Sequence, residues 1–228
     1  QTLTDIRTQL HLEHAKLHLA SFNRPNIRYR VLEKSQPMKQ LLTFLESHQK
    51  SSGIVYALSR KRVEEVAEKL KAEGINAKAY HAGLPAEIRH NVHQQFIRDE
   101  VDIVVATVAF GMGIDKPNVR FVVHYDLPKN IEGYYQETGR AGRDGLASEA
   151  LLLFGMQDVA TAKHFVENVT DEEQRRLENF KLSSMVDFAE AQTCRRNVLL
   201  NYFSEPSHKP CGNCDICLDP PTLFNGKE

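Results

Sequence analysis

The 228-residue chain has no apolar run near the roughly 18 residues that a membrane-spanning helix needs. Its opening Gln1-Thr-Leu-Thr-Asp5 lacks the basic-then-apolar pattern of a secretory leader. The expectation is therefore a soluble, intracellular protein without a membrane partner. The net charge is −1 and the sequence pI is near 6.9, so the chain as a whole carries no electrostatic sign of binding a polyanion, and any such contact must be local. There are no internal repeats and no low-complexity tracts. No Gly-x-x-x-x-Gly-Lys-Ser/Thr loop and no acidic Mg²⁺ box occurs, which excludes self-sufficient grip on nucleoside triphosphate phosphates by that device. No cysteine precedes position 194.

What is present divides the chain. Thr2-Leu-Thr-Asp5 fits a capping-box start, and Ile6, Leu10 and Leu17 predict a short helix with no core of its own. Phe22-Asn-Arg-Pro-Asn26 then breaks the chain, because Pro25 removes an amide donor and biases its predecessor away from helix. From there, apolar runs rich in β-branched residues at 27–32, 53–58, 77–80, 103–106, 121–125 and 150–154 alternate with helical spacing at 38–48, 62–72, 86–98 and 130–140. Continuous apolar runs of this kind predict buried parallel strands in repeated βα units. Beyond 154 the strands stop, and 157–166, 171–191 and 194–203 have helical patterns. The expected units are 1–20, 21–155, 156–221 and a polar tail at 222–228. The fold class is α/β, a parallel sheet with helices on both faces, followed by a small helical region.

Cys211-Gly-Asn-Cys214-Asp-Ile-Cys217 offers three thiols at steps of three, and Cys194 on the preceding helix supplies a fourth vertex. In an intracellular chain such crowding favours metal ligation over disulfides, and four sulfurs favour structural zinc with no open position for substrate. Four thiolates leave a formal charge of −2 on the site, so Arg195, Arg196 and Lys209 are expected to favour thiolate over thiol.

The second informative stretch is Gln136-Glu-Thr-Gly-Arg140-Ala-Gly-Arg143-Asp-Gly145. On a continued helix, positions 136, 140 and 143 share a face. Gly139 and Gly142 each cost a helix about 1 kcal/mol relative to Ala, which points to a close backbone approach. Two guanidinium forks on one face suit a phosphate that gathers charge during transfer, whereas most Gly-Arg stretches are solvated and paired with acids such as Glu137 and Asp144. Three strand-end segments accompany it: Ser59-Arg60, Tyr80-His81-Ala-Gly83, and a loop from Thr107 through Gly111, Gly113 and Asp115 to Pro117. Ligands collect at such carboxyl ends in open parallel sheets. Taken one at a time, Ser59 and Thr107 are better explained as helix caps and His81 as a satisfied surface histidine.

Together these segments resemble the second RecA-like domain of superfamily 2 helicases, with Gln136 to Gly145 similar to their motif VI. Thr193-Cys194-Arg195-Arg196 and the following Cys-Gly-Asn-Cys-Asp-Ile-Cys resemble the zinc-binding subdomain of the RecQ family, with Asn201-Tyr202-Phe203 between them as in bacterial members. The resemblance runs from about Ser21 to Pro221. It implies an ATP-dependent DNA helicase that unwinds duplexes from 3′ to 5′ in repair and recombination, in the cytoplasm of a bacterium at its nucleoid. Arg140 and Arg143 are then arginine fingers on the ATP γ-phosphate, near the strand ends, and Gly113, Asp115 and Gln136 approach the same nucleotide. Ser59, Arg60, His81 and Thr107 grip the single-strand backbone without regard to sequence. ATP and Mg²⁺ are held mainly by a first lobe outside these residues, so no ATP hydrolysis is expected of this chain alone. A non-catalytic DNA-binding or assembly module, and an RNA helicase lobe of the DEAD-box kind, are the rival readings.

Overall fold

The computed structural model describes residues 2–12, 14–16, 18, 20–111 and 114–221. The chain begins with α1 (Thr2–Gln9), whose Ile6 and the adjoining Leu10 are 47% and 62% exposed, in keeping with a helix that has no core of its own. Leu17 lies outside the described residues. Then come β1 (Ile27–Glu33), α2 (Pro37–Glu46), β2 (Ser52–Tyr56), α3 (Arg60–Ala72), β3 (Ala77–Tyr80), α4 (Ala86–Ile97), β4 (Ile103–Ala106), β5 (Val119–His124), α5 (Ile131–Thr138) and β6 (Ser148–Phe154). Four helices follow: α6 (Met156–Glu167), α7 (Glu172–Glu190), α8 (Arg195–Tyr202) and the single turn α9 (Asp215–Leu218).

The six strands form one parallel sheet in the order β1-β6-β5-β2-β4-β3. Alternate residues of each strand feed opposite cores, as a period of two requires. Val55, Val105, Val123 and Leu151 pack under α2 and α3, where Leu41, Phe44, Val63, Val66 and Leu70 supply the apolar stripes. On the other face, Ile54, Val104 and Val122 meet Val92 and Phe96 of α4. The rest of that face, from Ile27, Tyr29, Ala150 and Leu152, is covered by Ile131 and Tyr134 of α5 together with Val159, Leu182, Met185, Phe188 and Leu199 of α6 to α8. The C-terminal helices therefore share a core with the sheet. Lys34 ties them further, with Nζ 2.8 Å from Asp126 at the end of β5 and 2.9 Å from Asp158 in α6.

Because all strands are parallel, their carboxyl ends lie along one edge, and β2, β4 and β3 are immediate neighbours there. The connection from β4 to β5 runs from that edge back to the amino end of β5. Its returning end is pinned by Lys116, whose fully buried Nζ sits 2.6 Å from Asp99.

Candidate functional site

The four cysteines converge as expected. One sulfur from each of Cys194, Cys211, Cys214 and Cys217 lies within 4.8 Å of the others, and the Cys211 and Cys217 sulfurs are 3.9 Å apart. A tetrahedral ZnS₄ unit with bonds near 2.3 Å has edges of about 3.8 Å, so the donor set fits zinc. Backbone amides of Cys211 and Asn213 donate to the Cys194 and Cys211 sulfurs at 3.4 Å, which compensates negative sulfur. Gly212, at φ +65, supplies the left-handed residue that curls the turn.

Without the ion, burial pushes the Cys211 thiol up to about 12 and raises Cys214 as well. Burial acts the same way on Cys217, but hydrogen bonds from the Gly212 backbone and neighbouring thiols outweigh it and leave that thiol lowered. Zinc binding must therefore displace at least the Cys211 and Cys214 protons. Apparent zinc affinity is expected to fall by at least about a hundredfold per pH unit as pH drops below 8; a chelator-competition titration at several pH values measures the slope.

The cations play a different part from the one expected. Arg195 Nε is 3.0 Å from Asp215, and its Nη1 donates to the Phe188 and Ala189 carbonyls. Arg196 donates to the Ile27 carbonyl at 2.7 Å. Arg195 thus joins α8 to α7 and α9, and Arg196 joins α8 to β1, because a buried guanidinium must find acceptors, here a carboxylate and backbone carbonyls. Among the described residues, Lys209 offers only its carbonyl, to Asn197. The metal turn itself docks on the open edge of β1: Tyr29 and Cys214 form a parallel bridge, and the Val31 amide donates to Asp215 at 2.9 Å.

The arginine motif departs from a continuous helix. α5 ends at Thr138, Arg140 and Ala141 close tight turns on Glu137 and Thr138, and Gly142 reverses the chain at φ +57. Gln136, exposed on α5, makes no side-chain hydrogen bond among the described residues, and Arg143 lies beyond the reversal. A Cβ at Gly142 would strike the Asn26 amide, meet Ser148 Oγ at 2.5 Å and meet the Leu146 carbonyl at 2.7 Å. Gly142→Ala is expected to destabilise the chain by about 2–4 kcal/mol, from the left-handed backbone and the overlap together, as read by denaturant unfolding.

Both arginines face the β4–β5 connection. Arg140 Nη1 donates to the Gly111 carbonyl, beside Tyr56, whose hydroxyl donates to the Phe110 carbonyl at 2.8 Å. Burial raises that phenol far above its ordinary value, with Arg140 pulling the other way. Glu137, the residue between, accepts from buried His124 at 2.6 Å and fixes α5 against the end of β5. Arg143 Nη1 donates to the Ile114 carbonyl at 2.9 Å and pairs with Asp115 at 3.1 Å. Arg143 is 38% exposed in its side chain and Asp115 90%. Gly113 lies outside the described residues.

Neither arginine enters the core. The turn spans the depth of the sheet: Arg140 stands beside Tyr56, the last residue of β2, while the Gly142 amide donates to the Val119 carbonyl at 2.8 Å, at the amino end of β5. The reason is geometric. α5 runs back along the sheet to deliver the chain to the start of β6, and the residues after it travel with it.

Ser59, Arg60 and Thr107 do sit at the carboxyl edge, following the adjacent strands β2 and β4. Ser59 caps α3 by accepting from the Arg62 amide at 3.2 Å, and remains exposed with a hydroxyl hydrogen to donate. Arg60 is exposed and has no hydrogen bond or ion pair among the described residues. His81 follows β3 but is only 3% exposed; its Nε2 is 2.9 Å from Glu64, and its Nδ1 is 3.2 Å from the Gly83 amide. Both ring nitrogens are engaged within the chain, so His81 shapes the 80–83 turn and presents no free donor.

Comparison with known proteins agrees with this division. Residues 33–145 match the family model "Helicase conserved C-terminal domain" and residues 156–218 match "RecQ zinc-binding". Proteins named ATP-dependent DNA helicase RecQ from Pasteurella multocida and Haemophilus influenzae are each 52% identical over 225 residues, 99% of this chain and 36% of theirs. The chain thus spans about a third of the length of these relatives. Among solved structures, a DEAD box protein from Methanococcus jannaschii superposes with a TM-score of 0.54 at 26% identity, covering 71% of this chain and 46% of that one, which places the sheet in the RecA-like helicase fold. The four-cysteine turn, the arginine turn and the two adjoining family matches lead to one assignment: the chain belongs to the RecQ helicase family, of which it carries the C-terminal helicase domain and the zinc-binding region.

Proposed function

We propose that the chain is the second motor lobe of an ATP-dependent DNA helicase, with Arg140 and Arg143 completing a nucleotide site whose phosphate-binding loop lies on another lobe. The observation that carries this reading is the pair of arginines fastened to the β4–β5 connection, with Arg143 held outward by one carbonyl and one exposed carboxylate. ATP, with its Mg²⁺, supplies the transferable phosphoryl group and the energy of each cycle. Arg143 leaves Asp115 to meet the charge that develops on the phosphoryl oxygens, and Arg140 holds the Gly111 carbonyl while offering its second fork. Asp115, Gly113 and the exposed Gln136 border the same nucleotide.

Ser59, Arg60 and Thr107 form the strand-gripping row at the neighbouring ends of β2 and β4, contacting phosphates without reading bases. His81 supports that row through the turn after β3. Zinc, held by Cys194, Cys211, Cys214 and Cys217, is structural. We place the units at 1–20, 21–155, 156–221 and 222–228, and the whole protein in the cytoplasm.

Strand separation by the full-length protein on matched DNA and RNA duplexes, beside an ATPase assay of the 228-residue chain alone, tests the proposal. ATP-dependent opening of the DNA duplex and no turnover by the isolated chain is the expected result. Turnover by the isolated chain, or a preference for RNA, would overturn it.

A further inference from the structure

The segment 21–27, which the sequence presents only as a break around Pro25, is fastened at both ends. On one side Arg24 spreads its guanidinium over the arginine turn: Nη1 donates to the Gly139 carbonyl at 3.0 Å, and Nη2 to the Ala141 and Gly142 carbonyls at 2.8 and 3.0 Å. Asn26 adds Nδ2 donations to the Gly142 and Leu146 carbonyls at 2.8 and 3.0 Å. These are the carbonyls of a turn that has left its helix and has no helical amides to satisfy them. The residues carrying them flank Arg140 and immediately precede Arg143.

On the other side the same segment is tied to the cysteine region. Asn213, between two of the cysteines, donates from Nδ2 to the Pro25 carbonyl at 3.1 Å, and Arg196 donates to the Ile27 carbonyl. The Phe22 amide donates to Glu205 at 2.8 Å, Ser21 bonds the same carboxylate, and the Phe22 ring stacks on Phe203 with centroids 4.7 Å apart. Tyr135 of α5 closes the loop by donating its hydroxyl to the Phe22 carbonyl at 2.8 Å.

We infer that Arg24 is a positioning residue for Arg140 and Arg143: its fork, braced against the cysteine region through 21–27, sets where the two guanidiniums stand when nucleotide arrives. The inference rests on the proposed role of Arg140 and Arg143 in phosphoryl transfer. A planar fork is needed because three carbonyls must be served from one side chain, and an ammonium on a flexible stem cannot span them in the same way. Arg24 approaches the turn through its backbone carbonyls and makes no hydrogen bond to either arginine side chain, so it acts through their placement and does not touch the nucleotide.

The test uses the full-length protein and four forms: wild type, Arg24→Ala, Arg24→Lys and Arg143→Ala. ADP and the transition-state mimic ADP–aluminium fluoride are titrated on each, with zinc content and thermal midpoint measured alongside. Affinity is read separately from stoichiometry, because partial misfolding lowers the number of sites while misplacement weakens each site. Arg24→Ala and Arg24→Lys are expected to bind the mimic about tenfold or more weakly at full stoichiometry, with ADP affinity changed less than twofold and zinc content unchanged. Arg143→Ala weakened in the same way, with both Arg24 variants equal to wild type, would overturn the positioning role and leave the finger reading intact. An Arg143→Ala protein that binds the mimic normally would instead overturn the finger reading itself. If Arg24→Ala fails to fold, the lysine variant decides, and a loss confined to its stoichiometry would also overturn the inference.

Discussion

Replacing Arg143 with Ala in the full-length protein is expected to lower ATP turnover on single-stranded DNA by about a thousandfold or more, the lower end of what an arginine finger contributes. Stability should hardly change. In the free lobe this side chain makes one carbonyl hydrogen bond and one ion pair with a carboxylate that is 90% exposed, and exposed pairs contribute at most about 1 kcal/mol. Arg143→Lys should not restore activity, because an ammonium keeps the charge but loses the fork that meets two phosphoryl oxygens. Steady-state turnover together with an unfolding curve separates the effects. Turnover within tenfold of wild type would remove the finger role.

The second large effect concerns the metal. Cys214 is fully buried, bridges to Tyr29 on the edge of β1 and precedes the Asp215 that receives both the Val31 amide and Arg195. Bound by these sulfurs, zinc would hold a turn that covers an otherwise open sheet edge. Chelation, or Cys214→Ser, is expected to lower the thermal midpoint by about 10 °C or more, since a site filled at a thousand times its dissociation constant contributes about 4 kcal/mol and each kcal/mol shifts a chain of this size by about 2–4 °C. Exposing the unpaired edge of β1 should also make the metal-free chain self-associate. Calorimetry and light scattering before and after chelation measure both. An unchanged midpoint in the metal-free chain would refute a structural role for zinc.

Much of this architecture was legible in the sequence because it rests on local signals. The continuous apolar runs of β2, β4 and β5 predict strands buried on both faces, and each lies within two residues of its expected ends. The four cysteines announce their site through spacing alone. The course of the arginine turn was less legible. Helical spacing continues past Thr138, and only the close contacts of Gly142 with Ser148 and with Asn26, the latter far away in the chain, show why the chain must turn there. Arg195 and Arg196 differ from expectation for a similar reason. Proximity to cysteines in sequence implied attraction to sulfur, whereas burial demanded Asp215 and backbone carbonyls as acceptors. His81 lies at a strand end as expected, but its partner Glu64 sits on α3, a pairing that no local pattern encodes. Arg24 carries no local signal: Pro25 beside it reads as punctuation, and its three acceptors lie more than a hundred residues away.

A structure of the full-length protein with a non-hydrolysable ATP analogue and a single strand tests the motor reading most directly. Arg140 and Arg143 should then stand within about 3 Å of γ-phosphate oxygens bound by the other lobe, with Asp115 released from Arg143. Both guanidiniums still seated on the Gly111 and Ile114 carbonyls, with the phosphates out of reach, would contradict it.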